Sequence, residues 1–292
     1  MFNQLLLNSL IVASVYTLVA VSFAIIYSTT RFFHFAHAAV LTAGAYFAYL
    51  FHILFGLPLV ISIGLAVIFS ALLGSLMELC IYRPLRKTNA SAMVLLLVSL
   101  GIYIVLQNMI SMIFGDDTKS IRTGDVVEGI NILGARITPI QIFIICSGIL
   151  LVILVTVFLK RTKTGKAMRA VANDPELADI SGINSSRVFL RTFALGSALA
   201  GVAGILVALD VDMTPTMGMN ALLMGVVAVI IGGAGSIPGV ALGALLLALA
   251  QNFGVWKISS QWQDTIAFVI LLIFLLFRPE GFLGRKVKKA TI

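Results

Sequence analysis

The residues of this chain with the capacity for chemistry are few. Its histidines are His34, His37 and His52, and its cysteines are Cys80 and Cys146. His34 and His37 stand three apart, so they share a face if that segment is helical. Two imidazoles begin a zinc site, but such a site takes three or four ligands. Neither His52 nor a thiol lies close in sequence, and no metal is expected. No set reads as catalytic: G-x-S-x-G, H-E-x-x-H and G-x-x-x-x-G-K-[ST] are all missing. Nucleophilic hydrolysis, zinc proteolysis and P-loop ATP binding are therefore not expected of this chain. Carboxylates are almost absent from the apolar stretches, with Glu78 near the end of one. A proton- or sodium-coupled carrier usually carries buried acids within its spans, so their scarcity argues against secondary transport.

Two stretches remain that can line a path. One is GGAGSIPG, Gly232 to Gly239, and the other is RFFHFAHAAV, Arg31 to Val40. Gly- or Pro-interrupted apolar segments are the sequence pointer to a transport site, and glycine lets a ligand approach the backbone closely. GGAGSIPG reads equally well as a tight turn between two helices. His37 reads either as a hydrogen-bonded structural histidine or as a residue on the translocation path.

The elements that must hold these residues are set by composition. The chain has 292 residues, 60% hydrophobic and 11% charged, with a mean hydropathy of +1.09. Soluble domains carry about 25% charge, so a soluble enzyme, a disordered chain and a coiled-coil fibre are excluded. The apolar runs are too long for barrel strands of about ten alternating residues. The fold class is all-α: a polytopic helical membrane bundle of eight or nine segments. Cys80 and Cys146 sit in apolar runs and read as small buried hydrophobes. The net charge of +8 is placed in short segments between apolar runs, which is the positive-inside pattern of a membrane protein rather than a nucleic-acid surface.

Along the chain, Leu5–Tyr27, Ala36–Leu54, Leu59–Ile81, Met93–Phe114, Ile140–Leu159, Thr192–Leu209 and Thr265–Phe277 read as spans. Arg31, then Arg83, Arg86 and Lys87, then Lys160 to Arg169, and the tail from Arg278 to Lys289 mark the cytoplasmic side. The loop with Asp116, Asp117, Asp125 and Glu128 against Lys119, Arg122 and Arg136 suits the external side, as do Trp256 and Trp262 near an interface. The N-terminus is placed outside and the C-terminus inside. No basic n-region precedes the first span, so no signal cleavage is expected. Ala221–Ile231 and Val240–Ala250 are short, each rising about 17 Å against roughly 30 Å of hydrocarbon. They either extend into their flanks and cross twice or form a re-entrant hairpin. Residues 1–292 read as one transmembrane domain, with residues 160–191 as its longest cytoplasmic loop.

In that loop Asp174 is placed to cap a short helix opening at Pro175, with Glu176 in its first turn and Gly182 past its end. Ala170, Val171, Leu177, Ala178 and Ile180 give it an apolar side, suited to a solvated linker or to docking a cytoplasmic partner. Gly196, Ala200 and Gly204, like Gly239 and Gly243, recur every four residues, a close-packing signal for helices in lipid.

These motifs together resemble the permease subunits of branched-chain amino acid-type ABC importers, in their LivH-like branch. The likeness runs through FAHAAVLTAGAY (Phe35–Tyr46), YRPLR (Tyr82–Arg86), GKAMRAVANDPELADISGIN and FALGSALAGVAGIL within Thr164–Leu206, GGAGSIPGVALGA (Gly232–Ala244) and RPEGFLGR (Arg278–Arg285). The resemblance implies a non-catalytic pore subunit in the inner membrane. It implies two cytoplasmic ABC ATPase subunits binding ATP and magnesium, a second permease subunit, with a heterodimer preferred, and an extracytoplasmic binding protein. It implies no cofactor in this chain and no nucleic acid. Phe35, Ala36, His37 and Gly44, with Gly232, Gly233, Gly235 and Ser236, are its implied path residues. Asp174, Pro175, Glu176, Ala178 and Gly182 are its implied ATPase-coupling residues. Many relatives read F-A-H-G followed by an acid, where this chain has Ala38 and Ala39; the lost carboxylate bears either on which cargo passes or on how the helix packs, and on cargo more than on fold. Branched-chain or related amino acids are the expected cargo, with urea, short amides or small carboxylates as the alternatives. A self-sufficient carrier or channel, and a membrane-embedded enzyme or assembly factor, are the readings from other classes.

Overall fold

A computed structural model describes residues 1–122, 129–132, 134–278 and 280–284. Asp125, Glu128 and the tail from Arg285 lie outside the described residues. Helices follow the apolar runs: α1 (Phe2–Thr30), α2 (Ala36–Tyr49) with a π turn Leu50–Leu54, and α3 (Leu59–Met77) with a π turn Glu78–Tyr82 leading into α4 (Arg83–Lys87). Then come α5 (Ala92–Phe114), a small hairpin of β1 (Ile130–Ile132) and β2 (Ala135–Ile137), α6 (Pro139–Arg161), α7 (Lys163–Asn173) and α8 (Pro175–Ile180). The chain closes with α9 (Ser185–Asp210), α10 (Met217–Gly232), α11 (Ile237–Val255) and α12 (Gln263–Phe277). Eight helical stretches among the described residues are long and apolar enough to cross a membrane, and α10 is a shorter apolar helix beside them.

The bundle has an inside and a lipid-facing outside. Helices α1, α2 and α9 form its centre, and α3, α5, α6 and α12 lie around them with most of their surface outward: α1 is 72% buried over its apolar window, α12 only 6%. Cys80 and Cys146, expected in the interior, are exposed on this outer surface. In hydrocarbon an apolar side chain gains nothing by turning inward, so an apolar run does not say which of its residues face the core.

The centre packs on glycine. A Cβ on Gly44 of α2 would lie 3.0 Å from the carbonyl carbon of Gly201 of α9, and one on Gly204 would strike the Leu41 carbonyl. Small residues let these backbones approach where lipid supplies no hydrophobic drive.

The two ends of the bundle are tied separately. At one end Gln4 of α1 pairs with the Arg136 backbone of β2, at 2.8 and 3.0 Å, and Gln141 of α6 donates to Asp210 of α9 at 3.2 Å. Arg122 donates to Asp212 at 3.0 Å, holding that carboxyl below its usual range. Phe2 packs on Phe253, so α11 ends at this end. The other end carries Arg31, Arg86 and the helices α7 and α8. There the N–H groups of Phe282 and Leu283 donate to the carbonyls of Ile231 and Gly232 at 2.8 and 3.2 Å. Helices α10 and α11 therefore both run from one end to the other, and their joining turn lies at the basic end, beside the end of α12. Both helices are longer than the apolar cores read in sequence, and α10 is still shorter than the helices long enough to cross a membrane. The apolar cores lengthen into Met217–Met219 and Gln251–Val255. Asn184 accepts from the Arg187 N–H and starts α9 at Ser185, inside the polar stretch that runs to Arg191.

Replacing Gly44 by Val forces a side chain into the Gly201 backbone. Loss of folded protein, by more than the 1–3 kcal/mol typical of overpacking, is expected in thermal unfolding in detergent. Gly64→Ala, with nothing within 4 Å of its Cβ position, is expected to be neutral or to stabilise by up to about 1 kcal/mol.

Candidate functional site

The corner between α1 and α2 is irregular backbone wrapped in helices. Such backbone needs partners from protein at membrane depth. Ser99 of α5 supplies one: its Oγ accepts from the Phe35 N–H at 3.1 Å and lies 3.1 Å from the Phe33 carbonyl. The Arg31 N–H closes α1 by donating to Tyr27 O at 2.9 Å, and those of His37 and Ala38 open α2 on the carbonyls of His34 and Phe35. A segment with no helical ladder of its own is thereby fixed.

Both histidines of the corner are fully buried. His37 Nε2 lies 2.8 Å from Ser22 Oγ of α1, and Ser22 in turn donates to Val19 O at 2.7 Å. The other ring nitrogen of His37, Nδ1, has no hydrogen-bond partner among the described residues. His34 Nδ1 lies 3.0 Å from the Tyr82 hydroxyl, and its Nε2 has no partner. The two ring centroids are 5.8 Å apart. His34 starts outside α2, so the pair meets through a turn rather than along one helix face. Tyr82 stacks on Phe193 of α9 at 5.3 Å. One turn before it, buried Glu78 is paired with Arg86, whose guanidinium carbon lies 4.4 Å from the centre of the Phe189 ring. One polar and aromatic chain thus joins α1, α2, the π turn after α3, and α9.

A cavity of about 170 Å³ opens at the same end. Phe23, Tyr27, Phe33, Val229, Gly233 and Glu280 are among its walls. Phe23 and Tyr27 stack at 5.8 Å, and Tyr27 meets Phe33 at 5.0 Å. Cavities of about 150 Å³ hold a benzene-sized molecule, so one small apolar group fits, with Glu280 as the acidic residue of the lining.

The two stretches singled out in sequence meet at this cavity through Phe33 and Gly233. Phe35, Ala36 and His37 lie in and before the first turn of α2, outside its lining, and Gly44 sits two turns further on against α9. Gly232 packs against the Gly239 backbone, which brings α10 and α11 together; Gly233 takes a φ of 93° and faces Gly284 and Glu280. Gly235 is open, and Ser236 caps α11 by accepting from the Gly239 N–H at 3.2 Å. The segment from Glu280 to Gly284, noticed in sequence only as a matching motif, supplies the donors that satisfy the end of α10. Sequence reasoning missed Ser22, Tyr82, Ser99, Phe193 and the pairing of Glu78 with Arg86. A lone acid in an apolar run followed by YRPLR was the available signal, since a buried carboxylate needs a cation.

On the basic end, α8 stands as a small knob. Asp174 accepts from the Leu177 N–H at 3.0 Å, Pro175 is its first residue, and Gly182 ends it with a φ of 83°. Ala178 is buried with Met168, Val171 and Val188. Glu176 is exposed, as are Leu177 at 61% and Ile180 at 84%. The knob is anchored on one side and apolar on the other.

Comparison with known proteins adds the following. The family described as branched-chain amino acid transport system / permease component matches residues 5–275. The high-affinity branched-chain amino acid transport system permease protein BraD of Pseudomonas aeruginosa is 35% identical, over 97% of this chain and 96% of that protein. LivH of Escherichia coli, with the same description, is 30% identical over 97% of this chain and 96% of that protein. The probable LivH of Methanocaldococcus jannaschii is 28% identical over 98% and 94%. Among solved structures, PsaBC from Streptococcus pneumoniae in complex with Fab is similar in fold, with a TM-score of 0.53 and 14% identity over 94% of this chain and 91% of that one.

Tyr82→Phe leaves His34 without its one polar partner. A stability loss of about 1–2 kcal/mol is expected, above the roughly 0.6 kcal/mol average for polar pairs within membranes, because a buried imidazole is stranded. An unchanged unfolding midpoint would remove the polar chain as a structural element.

Proposed function

The chain belongs to the branched-chain amino acid transport system permease family, and on that footing we propose that it is a pore subunit of an ATP-driven importer of branched-chain amino acids. Its N-terminus is outside and its C-terminus cytoplasmic. ATP and magnesium act on two partner ATPase subunits, and a binding protein delivers cargo to the opposite face. A second permease, preferably a different chain, completes the pore. The segment within residues 160–191 is the coupling element, with Asp174, Pro175, Glu176, Ala178 and Gly182 shaping α8.

The observation that supports this reading best is α8 itself. An exposed isoleucine and leucine on a capped, anchored helix at the basic end are costly in water and suited to a groove on a cytoplasmic partner. Ala178 fixes the knob to α7 and α9, so force on α8 reaches the bundle. For the path, Phe35, Ala36, His37 and Gly44 back the corner whose Phe33 lines the cavity. Gly232, Gly233, Gly235 and Ser236 shape the turn that borders the cavity. The aromatic wall with Glu280 in the same lining suits an apolar side chain beside an ammonium group, which favours amino acids over urea or carboxylates. A transporter moves between two states only if its driver binds them unequally, and α8 is where that inequality is applied.

Glu176→Lys and Ile180→Asp are expected to lower ATP-driven leucine uptake in native vesicles at least tenfold, with the chain still inserted in the membrane. Uptake at the unsubstituted level in both variants would refute the coupling assignment.

A further inference from the structure

Arg31 holds a backbone conformation that its side chain disfavours. Its φ is 59° and ψ 21°, in the left-handed region at the position just past α1. Glycine or asparagine ordinarily stands there. Among the described non-glycine residues only Arg31 and Asn89 have positive φ, and Asn89 follows that preference. An arginine at such a site is explained by what its side chain does.

The guanidinium reaches the far end of the coupling segment. Arg31 Nη2 donates to the Ala172 carbonyl at 2.6 Å, across 141 residues of chain. Ala172 is in the last turn of α7, where carbonyls have no partner within the helix. The Asp174 N–H goes to Ala170 instead, and Pro175 has no N–H to give. A cation at this point also meets the negative end of the helix dipole. Two residues further on, Asp174 ends α7 and caps α8 at once. The tether therefore grips the hinge between the two short helices.

On its other side Arg31 is joined to the corner. Phe32 is buried, 5.1 Å from the Tyr82 ring and 6.0 Å from His34. A shift of Arg31 cannot leave Phe32, and hence the His34–Tyr82 contact, in place.

We propose that Arg31 is a positioning residue for transport: its guanidinium caps α7 and ties movement of the α7–α8 hinge to the α1–α2 corner beside the cavity. The proposal rests on the importer reading, and deepens it by naming the link between coupling segment and path. Helices α1 and α7 lie side by side, and the charged hydrogen bond fixes their register.

The test uses the complex purified from its native membrane and reconstituted in liposomes, with a mixture of labelled leucine, isoleucine and valine as probe. Uptake and phosphate release are read in the same vesicles. R31G relieves the backbone and removes the tether. Its subunits are expected to stay together, with an unfolding midpoint at or above the unsubstituted one, while uptake per ATP hydrolysed falls about tenfold, the factor a charged hydrogen bond supplies. R31K, which keeps a donor and a charge, is expected to recover to within about threefold of the unsubstituted complex. R31G with unchanged uptake per ATP overturns the proposal, as does disassembly of R31G and R31K alike, which would make Arg31 a scaffold residue only. Absence of ATP-driven uptake in the unsubstituted complex would instead sink the importer reading and the proposal with it.

Discussion

In hydrocarbon every buried backbone N–H and C=O must find its partner within the protein, and the α1–α2 corner is where this chain meets that demand away from a helix ladder. Ser99 serves the backbone of Phe33 and Phe35, Ser22 serves His37, Tyr82 serves His34, and Arg31 closes both its own corner and the end of α7. These partners come from α1, α5, the π turn after α3, and α7. Each fixes one neighbouring element against the corner, so satisfying the irregular segment is also what sets the arrangement of the bundle around it. The same logic operates at the α10–α11 turn, where the Phe282 and Leu283 N–H groups complete the carbonyls of Ile231 and Gly232.

Membrane character, the positions of most spans and the capped α8 were legible in the sequence. They follow from local signals: long apolar runs, basic punctuation, and an Asp-Pro-Glu start three residues before an apolar side. The exposure of Cys80 and Cys146 was not legible, because hydropathy reports depth in the membrane and not direction around a helix. The full length of α10 and α11 was hidden for a related reason. Met217–Met219 and Gln251–Val255 belong to these helices, but glycine, asparagine and glutamine there dilute the apolar count. Gln251 is buried, donating toward Gln263 O at 3.2 Å, which no composition measure reveals. The pairing of His34 with Tyr82 joins residues 48 apart, and long-range partners of this kind leave no local pattern. The candidate path residues were placed by motif, and the structure shows their surroundings: Phe33 and Gly233 meet at a cavity, while His37 is enclosed behind it.

The bundle divides its surface by task. Helices α1, α2 and α9 are packed inside, on glycine contacts that admit no side chain. Helices α3, α5, α6 and α12 present apolar faces to lipid. At one end an exposed ion pair joins Arg122 to Asp212, whereas at the basic end buried Glu78 pairs with Arg86 over the Phe189 ring and an exposed bond joins Arg31 to Ala172. Stiff internal ties and a protruding α8 suit a body that is moved as a unit from its basic end.

The central claim is that this chain works as one member of an ATP-driven assembly. Purification of the tagged chain from its native membrane in mild detergent, with identification of everything that accompanies it in stoichiometric amount, tests it most directly. The account predicts an ABC ATPase and a second, related permease in the same particle. A chain that arrives alone, and still moves solute when placed in liposomes without ATP, would contradict it.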